Sequence, residues 1–268
     1  MKTITSIQKY FSLALALCLG LSAQAQLLNE TFDSAAGFSI ADQNGAATFF
    51  SDNSSDYFGI YDGDGDGGAD FGAATTNPSG VGPYTSISDN YITGEDMDAE
   101  GDSPPFILTW GSISLNGETA LKISADFAST RIDADDGITV SYRLDGGTWV
   151  DILGMAGAAG TYNSFPYEIT DFSAGTGDSD ATQVTGAFTN VSNTITLVGT
   201  ESTIELKAEF FTQNGSDNIA MDNLVLEELS GSEEQITLSS TAATVDESSS
   251  LAVTLSVPTN VSTDTTFN

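Results

Sequence analysis

The chain has 268 residues, of which 38 are acidic, six are basic and none is histidine, and its formal net charge is −32. Such a negative surface argues against a polyanion such as DNA as a direct partner. Without histidine, and with cysteine only at position 18, the chain cannot assemble Ser-His-Asp, Cys-His or zinc–histidine chemistry. It also lacks a glycine-rich phosphate loop ending in lysine.

The first predicted element is a leader. Lys2 and Lys9 precede the apolar run from Phe11 to Leu21, and Ala23-Gln24-Ala25 offers small residues at a cleavage site, so residues 1–25 read as a signal peptide and the product as secreted or displayed at the cell surface. The apolar run is too short for the roughly 20 residues a membrane span needs. Leu17 before Cys18 is too large for a lipoprotein site. Removing the leader takes the cysteine and two lysines, so four basic residues face 38 carboxylates and the net charge becomes −34. Disulfides are then impossible, and about 200 residues must rely on an apolar core or on metal. The self-repulsion of so many carboxylates calls for divalent cations or suits life in salty water.

Beyond the leader, alternation of period two dominates and predicts strands. Thr119 to Ala128 sets Leu121, Ile123, Ala125 and Phe127 on one face. Gly137 to Leu144 does the same with Ile138, Val140, Tyr142 and Leu144, and Thr148 to Leu153 is a short strand in which Trp149 is expected to be buried. Asn193 to Val198 aligns Ile195 with Leu197, and Ser202 to Phe211 aligns Ile204, Leu206, Ala208 and Phe210. A turn at 213–217 is expected to fold that strand into a long hairpin with Asn218 to Glu227, where Ile219, Met221 and Val225 continue the core. Asn116-Gly117 and Asp145-Gly146-Gly147 mark further turns, and no helical stripe comes after the leader. The fold class is therefore all-β, an antiparallel jelly-roll β-sandwich over residues 26–229. Polar residues 230–235 read as a linker, and 236–268 as an incomplete Ig-like segment with strands at Gln235 to Ser239 and Leu251 to Val257; downstream domains of the same chain are expected.

One motif stands out for chemistry. Asp62, Asp64, Asp66 and Asp70 place oxygens at loop positions 1, 3, 5 and 9, with Gly67 at position 6, a spacing suited to Ca2+. Position 12 is Ala73 where an EF-hand has glutamate, so the site needs a further ligand such as Asp56 or stays weak. The acidic run from Gly94 to Asp102 lacks the alternating apolar face of a glycosidase strand and reads as a solvated or cation-binding loop. Tyr84 and Tyr91 are the aromatics best placed to be exposed and to stack on a sugar.

Two short stretches carry a resemblance. Asn29-Glu30-Thr31-Phe32-Asp33 and Ile219-Ala220-Met221-Asp222-Asn223-Leu224 look like the paired first and last strands of jelly-roll domains of the MAM-like and carbohydrate-binding-module-like kind. The resemblance implies neighbouring first and last strands, and a structural calcium held by Glu30 and Asp222. Val245-Asp246-Glu247-Ser248 followed by Leu251 to Val257 resembles the opening of a Calx-beta domain, in which Glu247 would be a calcium ligand. Serines at 248–250 replace the glycine usual there. The functional expectation is a non-catalytic, calcium-stabilised extracellular module that contacts glycan or another cell-surface component. The alternative is an accessory or catalytic part of a secreted nuclease or glycoside hydrolase.

Overall fold

The computed structural model describes residues 25–34, 36–45, 49–51, 56–62, 84–86, 90–98, 103–158, 164–172, 182–229, 237–240 and 253–256. Every regular element among them is a strand, so none is a helix able to cross a membrane. In chain order the strands are β1 (Gln26–Glu30), β2 (Ser39–Ala41), β3 (Phe50–Ser51), β4 (Tyr57–Asp62), β5 (Asn90–Glu95), β6 (Phe106–Ser114) and β7 (Ala120–Arg131). Next come β8 (Gly137–Leu144), β9 (Val150–Ala156), β10 (Tyr167–Ile169), β11 (Thr189–Thr196), β12 (Thr203–Phe211), β13 (Asn218–Glu228), β14 (Thr237–Ser240) and β15 (Val253–Ser256). Residues 24–229 form one compact unit. In the other, β14 pairs antiparallel with β15, and Leu238 lies opposite Leu255.

The larger unit is an antiparallel jelly-roll sandwich. One sheet runs β11-β7-β13-β5-β4-β3 with β1 also on β13, and the other runs β10-β9-β8-β12-β6-β2. First and last strands are neighbours, as the resemblance implied: Glu30 lies opposite Leu224. Because side chains alternate across a strand, each sheet gathers a broad apolar side, and the two apolar sides bury each other. Leu121, Ile123, Ala125 and Phe127 of β7 face Ile204, Leu206, Ala208 and Phe210 of β12 in one continuous core. Rings lock the sheets together: Phe58 of β4 lies 4.8 Å from Phe106 of β6 and 5.2 Å from Phe210 of β12.

Two expectations are corrected. The strands on either side of turn 213–217 do not form a hairpin: β12 belongs to the six-stranded sheet and β13 to the seven-stranded one. The chain crosses the sandwich there, because both strands carry a strong apolar face and each must bury it against the opposite sheet. The second correction concerns β13, in which Leu224 and Leu226 are buried and Val225 is only half-buried. Asp222 lies opposite Asp126 but Val225 lies opposite Ser124, so β13 takes three steps where β7 takes two. That is a β-bulge, with Asn223 at φ 49°, and it exchanges the faces of the strand.

Deleting a ring from the inter-sheet stack tests this packing. Phe58→Ala should cost about 3–5 kcal/mol in urea unfolding with little change in slope. A loss below about 1 kcal/mol would contradict the packing.

Candidate functional site

The turns at one end of the sandwich gather carboxylates. Antiparallel pairing brings together Asp56 before β4, Glu95 to Asp98 at the end of β5, Asp133 to Asp136 between β7 and β8, and Asn214 to Asp217 between β12 and β13. The turns are held from within: the Asp133 amide donates to Asp136 Oδ2 at 3.1 Å, and Asn214 Nδ2 donates to Asp133 Oδ2 at 3.0 Å. Asp136 and Asp217 are 3 % and 1 % exposed, and their carboxyl groups lie within hydrogen-bond reach of each other. Burial, then the contact with Asp217, pushes the Asp136 carboxyl up to about 7. Burial also raises Glu95 to about 7, against a hydrogen bond from Asn218. Asp96 rises to about 6 through burial and its contacts with Asp98 and Asp56. Two carboxyls in contact need a shared proton or a cation between them. Among the described residues no three carboxylates converge closely enough to hold a metal by themselves.

The outer face of the six-stranded sheet carries a cleft of about 490 Å³ that begins at this end. Thr139 of β8, Asp151 of β9 and Glu209 of β12 project into it beside the rings of Phe211 and Phe172, and Asp136 stands on its wall. Ser141 donates to Asp151 Oδ1 at 2.7 Å. Lys207 pairs with Glu209 at 2.6 Å and Arg143 with Glu205 at 2.6 Å. The cleft thus combines half-buried apolar rings with oxygens that accept hydrogen bonds.

The predicted site residues scatter. Asp62 ends β4 opposite Asn90, while Asp64, Asp66, Asp70 and Glu247 lie outside the described residues. Glu30 points into the core: Oε1 accepts the Phe32 amide at 2.9 Å and Oε2 accepts Trp110 Nε1 at 3.1 Å. This fixes the bend after β1, where Phe32 takes φ 54°, and it requires Gly37, since a Cβ there would collide with Glu30 Oε2. Asp222 precedes the bulge and shares the outward side of its sheet with Ala220 and Asp126. The expectation that Glu30 and Asp222 share one calcium is therefore corrected, because they lie on opposite faces.

Tyr84 and Tyr91 are together, but Tyr91 is buried and the Tyr84 hydroxyl is enclosed. They stack with Phe188 and Tyr61 in a separate cluster on the outer side of the seven-stranded sheet, so they present no open platform. In the described part of the acidic run, Glu95 at the end of β5 and Met97 are buried and the Met97 amide donates to the Thr212 carbonyl, whereas Asp98 is exposed; residues 99–102 lie outside the described residues. Trp149, expected in a buried strand, precedes β9 and lies half-buried on the outer face, 4.7 Å from Arg143 Cζ and 5.2 Å from Lys207 Nζ. Polar outward positions at Thr139, Ser141 and Lys207 were readable from alternation, but the cleft that Thr139 lines with Asp151 and Glu209 was not.

No family model matches the chain, and no curated protein matches it. Solved structures do. The K3 cleaved adhesin domain of Lys-gingipain from Porphyromonas gingivalis w83 is 18% identical, with 76% of this chain and 99% of that one covered at a TM-score of 0.36. The CBM22-1–GH10 modules of Clostridium thermocellum xylanase 10B, solved with xylohexaose, are 12% identical, covering 78% of this chain and 29% of that one at 0.39. TmCBM61, solved with β-1,4-galactotriose, is 11% identical, covering 75% and 97% at 0.37. None of these likenesses assigns a role to a residue of this chain.

Two predictions arise here. Carboxyls raised in the folded state bind protons that the unfolded chain releases, so stability is greatest at low pH and is lost as pH climbs through the folded values of about 6 to 7. In chelator, the melting temperature should fall by several degrees between pH 5 and 7.5, less so in Asp217→Asn; a flat or rising profile would contradict the buried carboxyl contacts. Asp145 and Glu201, lowered by backbone amides, act below this window. Glu30→Ala leaves the Trp110 and Phe32 N–H groups without acceptors and should cost roughly 3 kcal/mol in urea unfolding, and Glu30→Gln less. Equal losses for both would show that the acceptor is not what matters.

Proposed function

We propose that residues 26–229 are a non-catalytic glycan-binding module of an exported protein, with the cleft on the six-stranded sheet as the ligand site. The observation that carries this reading is the composition of the cleft. Sugars present hydroxyl donors around apolar ring faces, and the cleft offers carboxylate and hydroxyl oxygens beside Phe211 and Phe172. Asp151 stands exposed at the opening, oriented by Ser141. Export is supported by the leader-like residues 1–25, and it would bring the cleft to cell-surface glycans.

Calcium belongs to the same proposal. The spacing of Asp62, Asp64, Asp66 and Asp70 supports an ion in the segment after β4, and the carboxyl contacts at the acidic end are a repulsion that cations would relieve. Calcium bound only by the folded state raises its stability by mass action.

Titration calorimetry against a panel of neutral oligosaccharides tests the site. Wild type should bind at least one of them, and Phe211→Ala and Asp151→Ala should each weaken binding tenfold or more without unfolding the domain. Unchanged affinity in both variants would remove the cleft from consideration, and turnover of the bound sugar would favour the hydrolase. In differential scanning, millimolar calcium should raise the wild-type melting temperature by several degrees, and Asp64→Ala with Asp66→Ala should abolish the rise. An identical melt in calcium and chelator would reject the ion.

A further inference from the structure

We propose that Trp149 is a second sugar platform, and that the outer face of the six-stranded sheet between it and the cleft is a track for an uncharged linear polysaccharide. The inference rests on the glycan reading above and extends it to the length and charge of the ligand.

Strand register sets the track. Thr139 lies opposite Glu209 at the cleft. One row along the same face, Asp151, Ser141, Lys207, Thr109 and Ser39 stand shoulder to shoulder across five strands. A further row brings Arg143 opposite Glu205. From Thr139 to Arg143 is four residues, or about 14 Å; in the middle row Asp151 and Ser39 are exposed and Lys207 and Thr109 half-buried, while the buried Ser141 holds Asp151 in place. An aromatic group closes each end, Phe211 in the cleft and Trp149 above the far row.

Local chemistry holds Trp149 in place. Asp145 and Gly146 take φ 48° and 70°, and the Gly147 amide donates to the Leu144 carbonyl at 2.8 Å, a tight hairpin turn that returns the chain over the sheet. The Arg143 guanidinium and the Lys207 ammonium lie against the indole, each from the outward side of its strand. Trp149 is only half-buried, so part of the indole stays open to solvent.

Charge selects the ligand. Four basic residues lie beyond the leader, and Arg143 and Lys207 are two of them. Both are cancelled here, by Glu205 and Glu209, and Asp151 adds a further carboxylate, so the track itself is negative on a chain that carries −34 beyond the leader. An anionic polysaccharide would find no uncompensated cation on the track and would meet repulsion there and elsewhere. A neutral chain of hydroxyls meets neither cost.

Calorimetry with neutral β-1,4-linked xylo-, cello- and galacto-oligosaccharides of two and six units, with a uronate hexamer alongside, tests the inference. A neutral hexasaccharide should bind wild type at least tenfold more tightly than its disaccharide and than the uronate. Trp149→Ala should reduce the hexamer to the affinity of the dimer and leave the dimer unchanged, with Trp149→Phe recovering part of the difference. Because the other tryptophan, Trp110, is buried, tryptophan fluorescence should shift with the hexamer and not with the dimer, and Trp149→Phe should remove the shift. Wild-type affinities in Trp149→Ala, or a preference for the uronate, would overturn the track while leaving the cleft standing. No binding of any sugar to wild type would overturn the glycan reading as well.

Discussion

Two sheets that each carry a broad apolar side are stable in water only when those sides face each other, and the rest of the molecule is arranged around that constraint. Rings from β4, β6 and β12 meet between the layers and set which way every strand must point. Most polar groups are thereby left to the outer faces and the turns, with Glu30 inside as the acceptor for Trp110 and Phe32. The six-stranded sheet turns a polar, cleft-bearing face to solvent, while the outer side of the seven-stranded sheet is partly covered by its own cluster of Tyr61, Tyr84, Tyr91 and Phe188. The two outer faces are therefore unequal, and the open polar cleft lies on one of them.

Charge is distributed as unevenly as polarity. Carboxylates crowd into the turns at one end, and some are buried against one another with their protons held into the neutral range. The four described cations sit on strands, and three of them lie beside a glutamate: Lys122 by Glu227, Arg143 by Glu205, Lys207 by Glu209. Asp136 belongs to both regions, since it lines the cleft and touches Asp217. Protonation of that pair and occupation of the cleft thus act on the same turn between β7 and β8.

Much of the architecture was readable where alternation is long. β7, β8 and β12 stand where their period-two patterns put them, with Phe127, Val140 and Leu206 inward, because eight or more alternating residues leave one way to bury an apolar face. β2, β3 and β10 have two or three residues and carry no periodic signal. What a strand pairs with was harder to read. β12 and β13 are joined by a short turn that suits a hairpin, yet they part into different sheets. A bulge at Asp222 and Asn223 adds one residue to β13, which is enough to exchange faces and separate Asp222 from Glu30. The site was the least readable part, because it is assembled from Thr139, Asp151, Glu209 and Phe211 on three strands, and nothing local to any of them marks it. Trp149 was placed in a buried strand because tryptophan usually is buried, whereas here two cations on neighbouring strands hold it against the outer face.

The most direct test of glycan binding on the six-stranded sheet is amide chemical-shift mapping of the folded protein titrated with a neutral hexasaccharide such as xylohexaose. Perturbations should concentrate at Thr139, Ser141, Asp151, Lys207, Glu209 and the Trp149 indole. Perturbations confined to Asp126, Asn190 and Tyr84 on the other sheet, or none at saturating sugar, would contradict that placement.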